Sequence, residues 1–143
     1  MPDRTSQTLH ASAVAVAGRG LIILGASGSG KSSLALDLIS RGACLIADDG
    51  VEVVRESDGA LCLSSPAAIA GQIEARGVGL LTLPFTTARA YAAVTLDVAE
   101  TARLPEAHET VIAGVTLPLL HKVEGPTFPA MLHAYLTGQR TDP

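Results

Sequence analysis

The sequence predicts an α/β domain, a mixed sheet rich in hairpins that carries a P-loop and few helices. Three observations predict it. The apolar run at 21–24 leads into Gly25-Ala26-Ser27-Gly28-Ser29-Gly30-Lys31-Ser32, and that loop leads into a segment of helical periodicity. Short alternating apolar runs recur along the chain, some separated by turn residues such as Ser57-Asp58-Gly59. Helical periodicity is sparse, so the regular strand–helix alternation of a doubly wound nucleotide-binding sheet is missing.

Taken in order, residues 1–9 are polar and expected to be flexible, ahead of the body of one domain filling 1–143. Residues 10–17 alternate apolar with small residues and read as a strand. Gly18-Arg19-Gly20 reads as a turn and 21–24 as a buried strand, together a hairpin. A helix follows over 30–40, with Leu34, Ala35 and Leu38 on one face and Gly42 as its stop. Residues 43–47 form an apolar strand that ends abruptly at Asp48-Asp49-Gly50.

Runs 51–55 and 60–64 flank the Ser57-Asp58-Gly59 turn as a hairpin. Ser65-Pro66 opens a short helical or turn segment to 70. Residues 72–75 are extended, Arg76-Gly77-Val78-Gly79 bends the chain, and 80–83 is a strand. A loop at 84–88 precedes a strand at 91–98, and a polar segment around Pro105 spans 100–108. Short strands at 111–112 and 115–117 meet at Ala113-Gly114, and 121–126 is loop. The last helix, 128–136, sets Phe128, Met131, Leu132 and Tyr135 on one side.

Composition bounds the function. The 143 residues are 48% hydrophobic and 17% charged, enough for one packed core, and much of the apolar share is alanine, which implies small, closely packed elements. Net charge is -4 and Lys31 and Lys122 are the only lysines, so the basic field that nucleic-acid binding needs is missing. The apolar runs are too short for a membrane span and the N-terminus has no signal-type apolar region, which places the chain in the cytoplasm. Cys44 and Cys62 sit in separate apolar runs without a C-x-x-C pattern and read as buried, reduced thiols.

The chemistry begins at the P-loop. Gly25, Gly28 and Gly30 allow the backbone to curl its N–H groups inward, and the helix N-terminus completes an anion cradle. Ala26, Ser27, Ser29 and Ser33 count with them as phosphate-binding positions. Lys31 brings positive charge to the β- and γ-phosphates, and Ser32 offers a hydroxyl to Mg²⁺. Asp48 and Asp49 lie where P-loop proteins place a metal-holding carboxylate; adjacent, one can serve the metal and the other take a proton. His10 opens the strand hairpinned to the P-loop strand. Glu74 and Arg76 flank a bend and by themselves read as a surface ion pair. Arg103 has no distinguishing position, and His108, His121 and His133 show no metal-binding spacing.

These residues carry a resemblance. The P-loop, Ala35-Leu36-Asp37-Leu38-Ile39, Arg41-Gly42 and Leu45-Ile46-Ala47-Asp48-Asp49 resemble bacterial HPr kinase/phosphorylase, and Ile73-Glu74-Ala75-Arg76-Gly77-Val78-Gly79 is similar to that family's second signature. The match is good over about 10–83 and thin beyond. It implies the fold shared with phosphoenolpyruvate carboxykinase, and a short form lacking the N-terminal domain of many members. It implies an enzyme that phosphorylates a serine of the phosphocarrier HPr with ATP, or pyrophosphate, and Mg²⁺, and removes that phosphate by phosphorolysis. Asp48 would be the catalytic base and, in reverse, the acid, with Asp49 beside it. Ser32, Asp48 and Glu74 would serve the metal. His10 and Arg103 would be catalytic, and the assembly a hexamer that docks HPr partly on the last helix. The sequence departs from the family where Ala26 replaces a common Asp, and in a late loop, 120–126, that is short and weakly basic.

Two other readings stand beside this one. A small-molecule P-loop kinase would carry an arginine-bearing lid and regular βα units, which are not evident. A nucleotide-sensing module would tolerate loss of Asp48, which is intact.

Overall fold

The computed structural model describes residues 6–142. A nine-stranded mixed sheet dominates it, with two helices and a separate two-stranded arm. The central strands are β2 (Ser12–Val16), β3 (Arg19–Leu24) and β9 (Ala88–Ala99). The antiparallel β2–β3 hairpin turns at Ala17-Gly18, both at positive φ (52° and 79°). Two consecutive left-handed residues match the twist of a two-residue hairpin, which moves the turn ahead of the expected Gly18-Arg19-Gly20; Arg19 and Gly20 already belong to β3.

Helix α1 (Lys31–Ser40) leaves β3 and returns the chain to β4 (Cys44–Ala47). β4 does not pair with β3; the order is β3-β2-β4, with β2 antiparallel to both. The helix therefore packs across β2. β5 (Val51–Arg55) and β6 (Leu61–Ser64) form the expected hairpin. β1 (Ser6–Leu9) pairs with β5 along its whole length, which corrects the expectation of a flexible segment for these four residues; residues 1–5 of that expectation lie outside the described part of the chain.

After a 3-10 turn at Ala67–Ile69, β7 (Gln72–Ala75) and β8 (Gly79–Thr82) make the two-stranded arm. β9 is long enough to serve two neighbours on one edge. Its start pairs with β6 and its later part runs parallel to β11 (Val115–Lys122), while β3 takes the other edge. β10 (His108–Ile112) pairs with β11 through a turn at Ala113-Gly114, again both at positive φ. His121 and Lys122, expected in a loop, extend β11 because the β9 edge offers them backbone partners.

Strand alternation divides the core. Val14, Val16, Leu21, Ile23, Ala92 and Val94 face α1 and α2 (Phe128–Thr137), whose Leu34, Leu38, Phe128, Leu132 and Leu136 close that layer. Ala13, Ala15, Ile22, Ile46 and Ala93 face the other way, onto residues of β5, β6, β10 and β11. Burial on both faces explains why the central strands read as unbroken apolar runs. α2 inserts Phe128, Leu132 and Leu136; Met131 is half exposed rather than on the buried side. Arg19 ties the C-terminal end of α2 to the sheet, donating to the carbonyls of Leu136 and Gly138 while lying over the Tyr91 ring. Both cysteines are free and partly exposed, not buried: Cys62 alternates with the core residues Leu61 and Leu63, and Cys44 is the first residue of β4, ahead of the buried Leu45.

Candidate active site

Three elements converge on one cleft. β3 ends at Leu24 and the chain turns through the P-loop into α1. β4 ends beside it at Asp48-Asp49. The β7–β8 arm, held against α1 by buried Ile73, brings the backbone of Glu74 alongside. The cavity between them holds about 260 Å³ and is lined by His10, Ser12, Ser27, Gly28, Gly30, Lys31, Ser32, Ser33, Asp48, Asp49, Glu74 and Arg76.

The loop needs its glycines. Gly28 and Gly30 have φ of 81° and 101°, where a side chain is strained, and a Cβ on Gly25 would sit 2.4 Å from Ser29 Oγ. Gly30 caps α1 in a left-handed conformation. No side chain caps the helix N-terminus and no acidic residue occupies its first turn, so its N–H groups and dipole are available to an anion. The Lys31 ammonium donates to the carbonyls of Gly25 at 2.7 Å and Ala26 at 3.1 Å, and the residue is 7% exposed. Ser29 Oγ is buried without a hydrogen-bond partner. An uncapped helix start, an orphaned buried hydroxyl and a lysine over the loop fit a phosphate chain.

Asp48 is the centre of the polar network and is 7% exposed. Its Oδ1 accepts hydrogen bonds from Ser12 Oγ and Ser32 Oγ, each at 2.7 Å. Among the described residues, its Oδ2 meets only the Glu74 N–H, at 3.4 Å. Asp49 adopts φ 62°, uncommon outside glycine, which turns its carboxylate onto His10 Nε2 at 2.9 Å. That pair is open to solvent, the side chains being 56% and 75% exposed. Ser32 and Asp48, with Glu74 near, form an oxygen donor set of the kind that suits Mg²⁺.

Of the residues singled out in the sequence, the cleft gathers His10, Ser27, Gly28, Gly30, Lys31, Ser32, Ser33, Asp48, Asp49, Glu74 and the exposed Arg76. It does not include Arg103, which lines a separate cavity beside β10, β11 and α2. The 100–107 segment leaves the end of β9 toward α2, so the expected catalytic position of Arg103 does not hold within this chain. Two residues escaped the sequence reading. Ser12 begins an apolar strand with no motif around it. Asp97 Oδ1 accepts from the Ala26 N–H at 3.1 Å and anchors the P-loop to β9. Only the pairing of β2 with β4 and of β3 with β9 could have pointed to Ser12 and Asp97.

The model of the HPr Serine kinase C-terminal domain family matches residues 4–99. An HPr kinase/phosphorylase of Clostridium botulinum is 52% identical over 73 residues, which are 51% of this chain and 24% of that protein. One from Thermoanaerobacter is 49% identical over 76 residues, 53% of this chain and 25% of that protein. The matched part therefore spans about a quarter of the length of these relatives. Among solved structures, the Hpr(Ser) kinase/phosphatase from Coxiella burnetii superposes with a TM-score of 0.76 at 23% identity, over 92% of this chain and 93% of that one. That likeness carries the shared fold through β10, β11 and α2, beyond the residues the family model reaches. The chain belongs to the HPr serine kinase C-terminal domain family.

Proposed function

We propose that this chain is the catalytic unit of a protein-serine kinase that phosphorylates the phosphocarrier HPr, using ATP and Mg²⁺. The observation that carries the reading is the shielded Asp48 carboxylate, held by two serine hydroxyls next to a P-loop lysine. The names of the relatives supply the substrate: they are HPr kinase/phosphorylases.

The P-loop amides and the start of α1 bind the phosphates, and Lys31 offsets their charge. Ser32, Asp48 and Glu74 would hold Mg²⁺, which when bound neutralises and orients the phosphate oxygens. Asp48 Oδ1 is committed to Ser12 and Ser32, so Oδ2 is the oxygen that takes the proton of the attacking serine. The serine oxygen–phosphorus bond forms as the bond to the nucleotide breaks, and positioning supplies most of the acceleration. His10 fixes Asp49 at the mouth of the cleft, where the protein substrate enters. A neighbouring cavity of about 270 Å³, reaching from Ser29 and Gly30 to Leu96, Val123 and Phe128, is suited to the nucleoside. In the reverse direction inorganic phosphate attacks phosphoserine, Asp48 returns the proton to the serine oxygen, and pyrophosphate leaves. Pyrophosphate is the alternative donor of the forward reaction. The working form is a cytoplasmic homo-oligomer, a hexamer by family resemblance.

Intact-mass analysis of HPr after incubation with the chain, Mg²⁺ and ATP tests the proposal. One added phosphoryl group on serine, lost with Asp48→Asn, supports it. Unmodified HPr in the presence of demonstrable ATP binding overturns it and turns attention to another acceptor or to nucleotide sensing.

A further inference from the structure

The second half of the chain gathers a different set of groups, away from the P-loop. Glu100 follows β9, His108 opens β10, and His121 lies near the end of β11. Strand pairing brings them together. β10 sets His108 opposite Leu119 of β11, and the Glu100 N–H donates to the Lys122 carbonyl at 2.7 Å, next to His121. Glu100 Oε1 then lies 3.5 Å from His108 Nε2 and 3.7 Å from His121 Nδ1. The two imidazoles stack with centroids 4.2 Å apart and planes 15° from parallel. One ligand atom from each of the three residues lies within 4.8 Å of the others.

We infer that Glu100, His108 and His121 form a binding site for a divalent transition-metal ion of the zinc type. Two imidazoles and one carboxylate are the ligand types that zinc and its neighbours prefer over magnesium. Bonds of about 2.0–2.2 Å in a tetrahedral shell separate ligand atoms by roughly 3.4 Å, and both Glu–His separations are close to that. The same separations are within ion-pair range, so the carboxylate already faces both imidazoles. The carboxylate is also pre-set. Its other oxygen, Oε2, accepts the N–H groups of Thr101 and Ala102 at 3.1 Å each, which leaves Oε1 directed at the imidazoles.

All three residues line a cavity of about 400 Å³ that also meets Phe128, Met131 and Tyr135. Three protein ligands leave a coordination position for water or a small anion entering from it. Imidazole lone pairs lie in the ring plane, so binding requires the stacked rings to splay. His108, the first residue of β10 and adjacent to the 100–107 loop, is placed to make that movement.

The site uses none of the P-loop or Asp48 groups, and its test reads metal alone. The full chain is dialysed against micromolar free Zn²⁺ with excess Mg²⁺, its metal content is measured, and its histidine ring nitrogens are followed by NMR. We expect one Zn²⁺ per chain, with ring-nitrogen shifts at His108 and His121 and none at His10 or His133. Glu100→Gln and His121→Asn each weaken binding by about 100-fold, while Asp48→Asn retains it. No zinc uptake by the unsubstituted chain overturns the inference. So do ring shifts elsewhere, or uptake that survives either substitution in a folded protein. If one variant does not fold, the ring-nitrogen assignment in the unsubstituted chain decides.

Discussion

Ser12 Oγ donates to Asp48 Oδ1 at 2.7 Å from a strand that pairs with the one ending at Asp48. The serine is fully buried and part of no motif. It turns the carboxylate so that Oδ2 is left toward the cleft. Ser12→Ala removes one donor from a buried carboxylate that keeps Ser32, at a cost of about 1–3 kcal/mol in stability. For the proposed kinase reaction, the rate constant should fall about tenfold, far less than the 10²–10⁴ expected for Asp48→Asn. KM for ATP should change little, because Ser12 makes no part of the P-loop. A kcat–KM split measured on both variants checks this, and a purely structural Ser12 would leave kcat of the folded fraction unchanged.

His10 and Asp49 are close but solvated, so their pairing contributes under about 1 kcal/mol to stability. His10→Ala should therefore leave the melting temperature within a few degrees while lowering HPr phosphorylation about tenfold or more. Calorimetry and the mass assay on one preparation separate the two effects. Full activity in His10→Ala would remove the histidine from the reaction.

Gly25→Ala tests the loop itself. The added Cβ would meet Ser29 Oγ at 2.4 Å and Leu96 Cβ at 3.3 Å. Either the loop shifts or the chain loses about 1–3 kcal/mol. Both outcomes weaken ATP binding, measurable by titration calorimetry. Undiminished ATP affinity would show that the loop is not the phosphate site.

The Cys62 thiol donates to Glu56 Oε1 at 2.8 Å, and that bond, with burial and the carboxylate charge, pushes its pKa above the ordinary 9.0. The folded state then holds the thiol proton more tightly than the unfolded chain. Its stabilising contribution is complete below about pH 9 and is lost as pH rises through the raised value. Alkylation of Cys62, followed by peptide mass spectrometry, should be slow up to pH 9 and faster in Glu56→Gln at every pH. Equal rates in the two proteins would contradict the assignment.

What could be read from the chain directly was whatever depends on neighbours in sequence. The P-loop, its helix, the 51–64 hairpin and the Ala113-Gly114 turn are short-range patterns of glycine, periodicity and turn residues. The Asp48-Asp49 pair at the end of an apolar strand had the same legibility, and so did the resemblance that the family match bears out. The missed strand residues have one cause. Ser6–Leu9 is polar, yet it is a strand because β5 offers an edge, and His121 and Lys122 join β11 because β9 does. Edge pairing satisfies backbone groups and leaves little trace in side-chain pattern.

Glycine spacing, strand alternation and an acidic pair after an apolar run therefore determined the fold class and the heart of the cleft. The tertiary structure alone decided that β2 would separate β3 from β4, delivering Ser12 to Asp48. It also directed Arg103 to a different cavity, and drew Glu100, His108 and His121 into one cluster. Those outcomes rest on which strand edges meet across long stretches of chain, and backbone hydrogen bonding between edges is blind to the side chains it brings together.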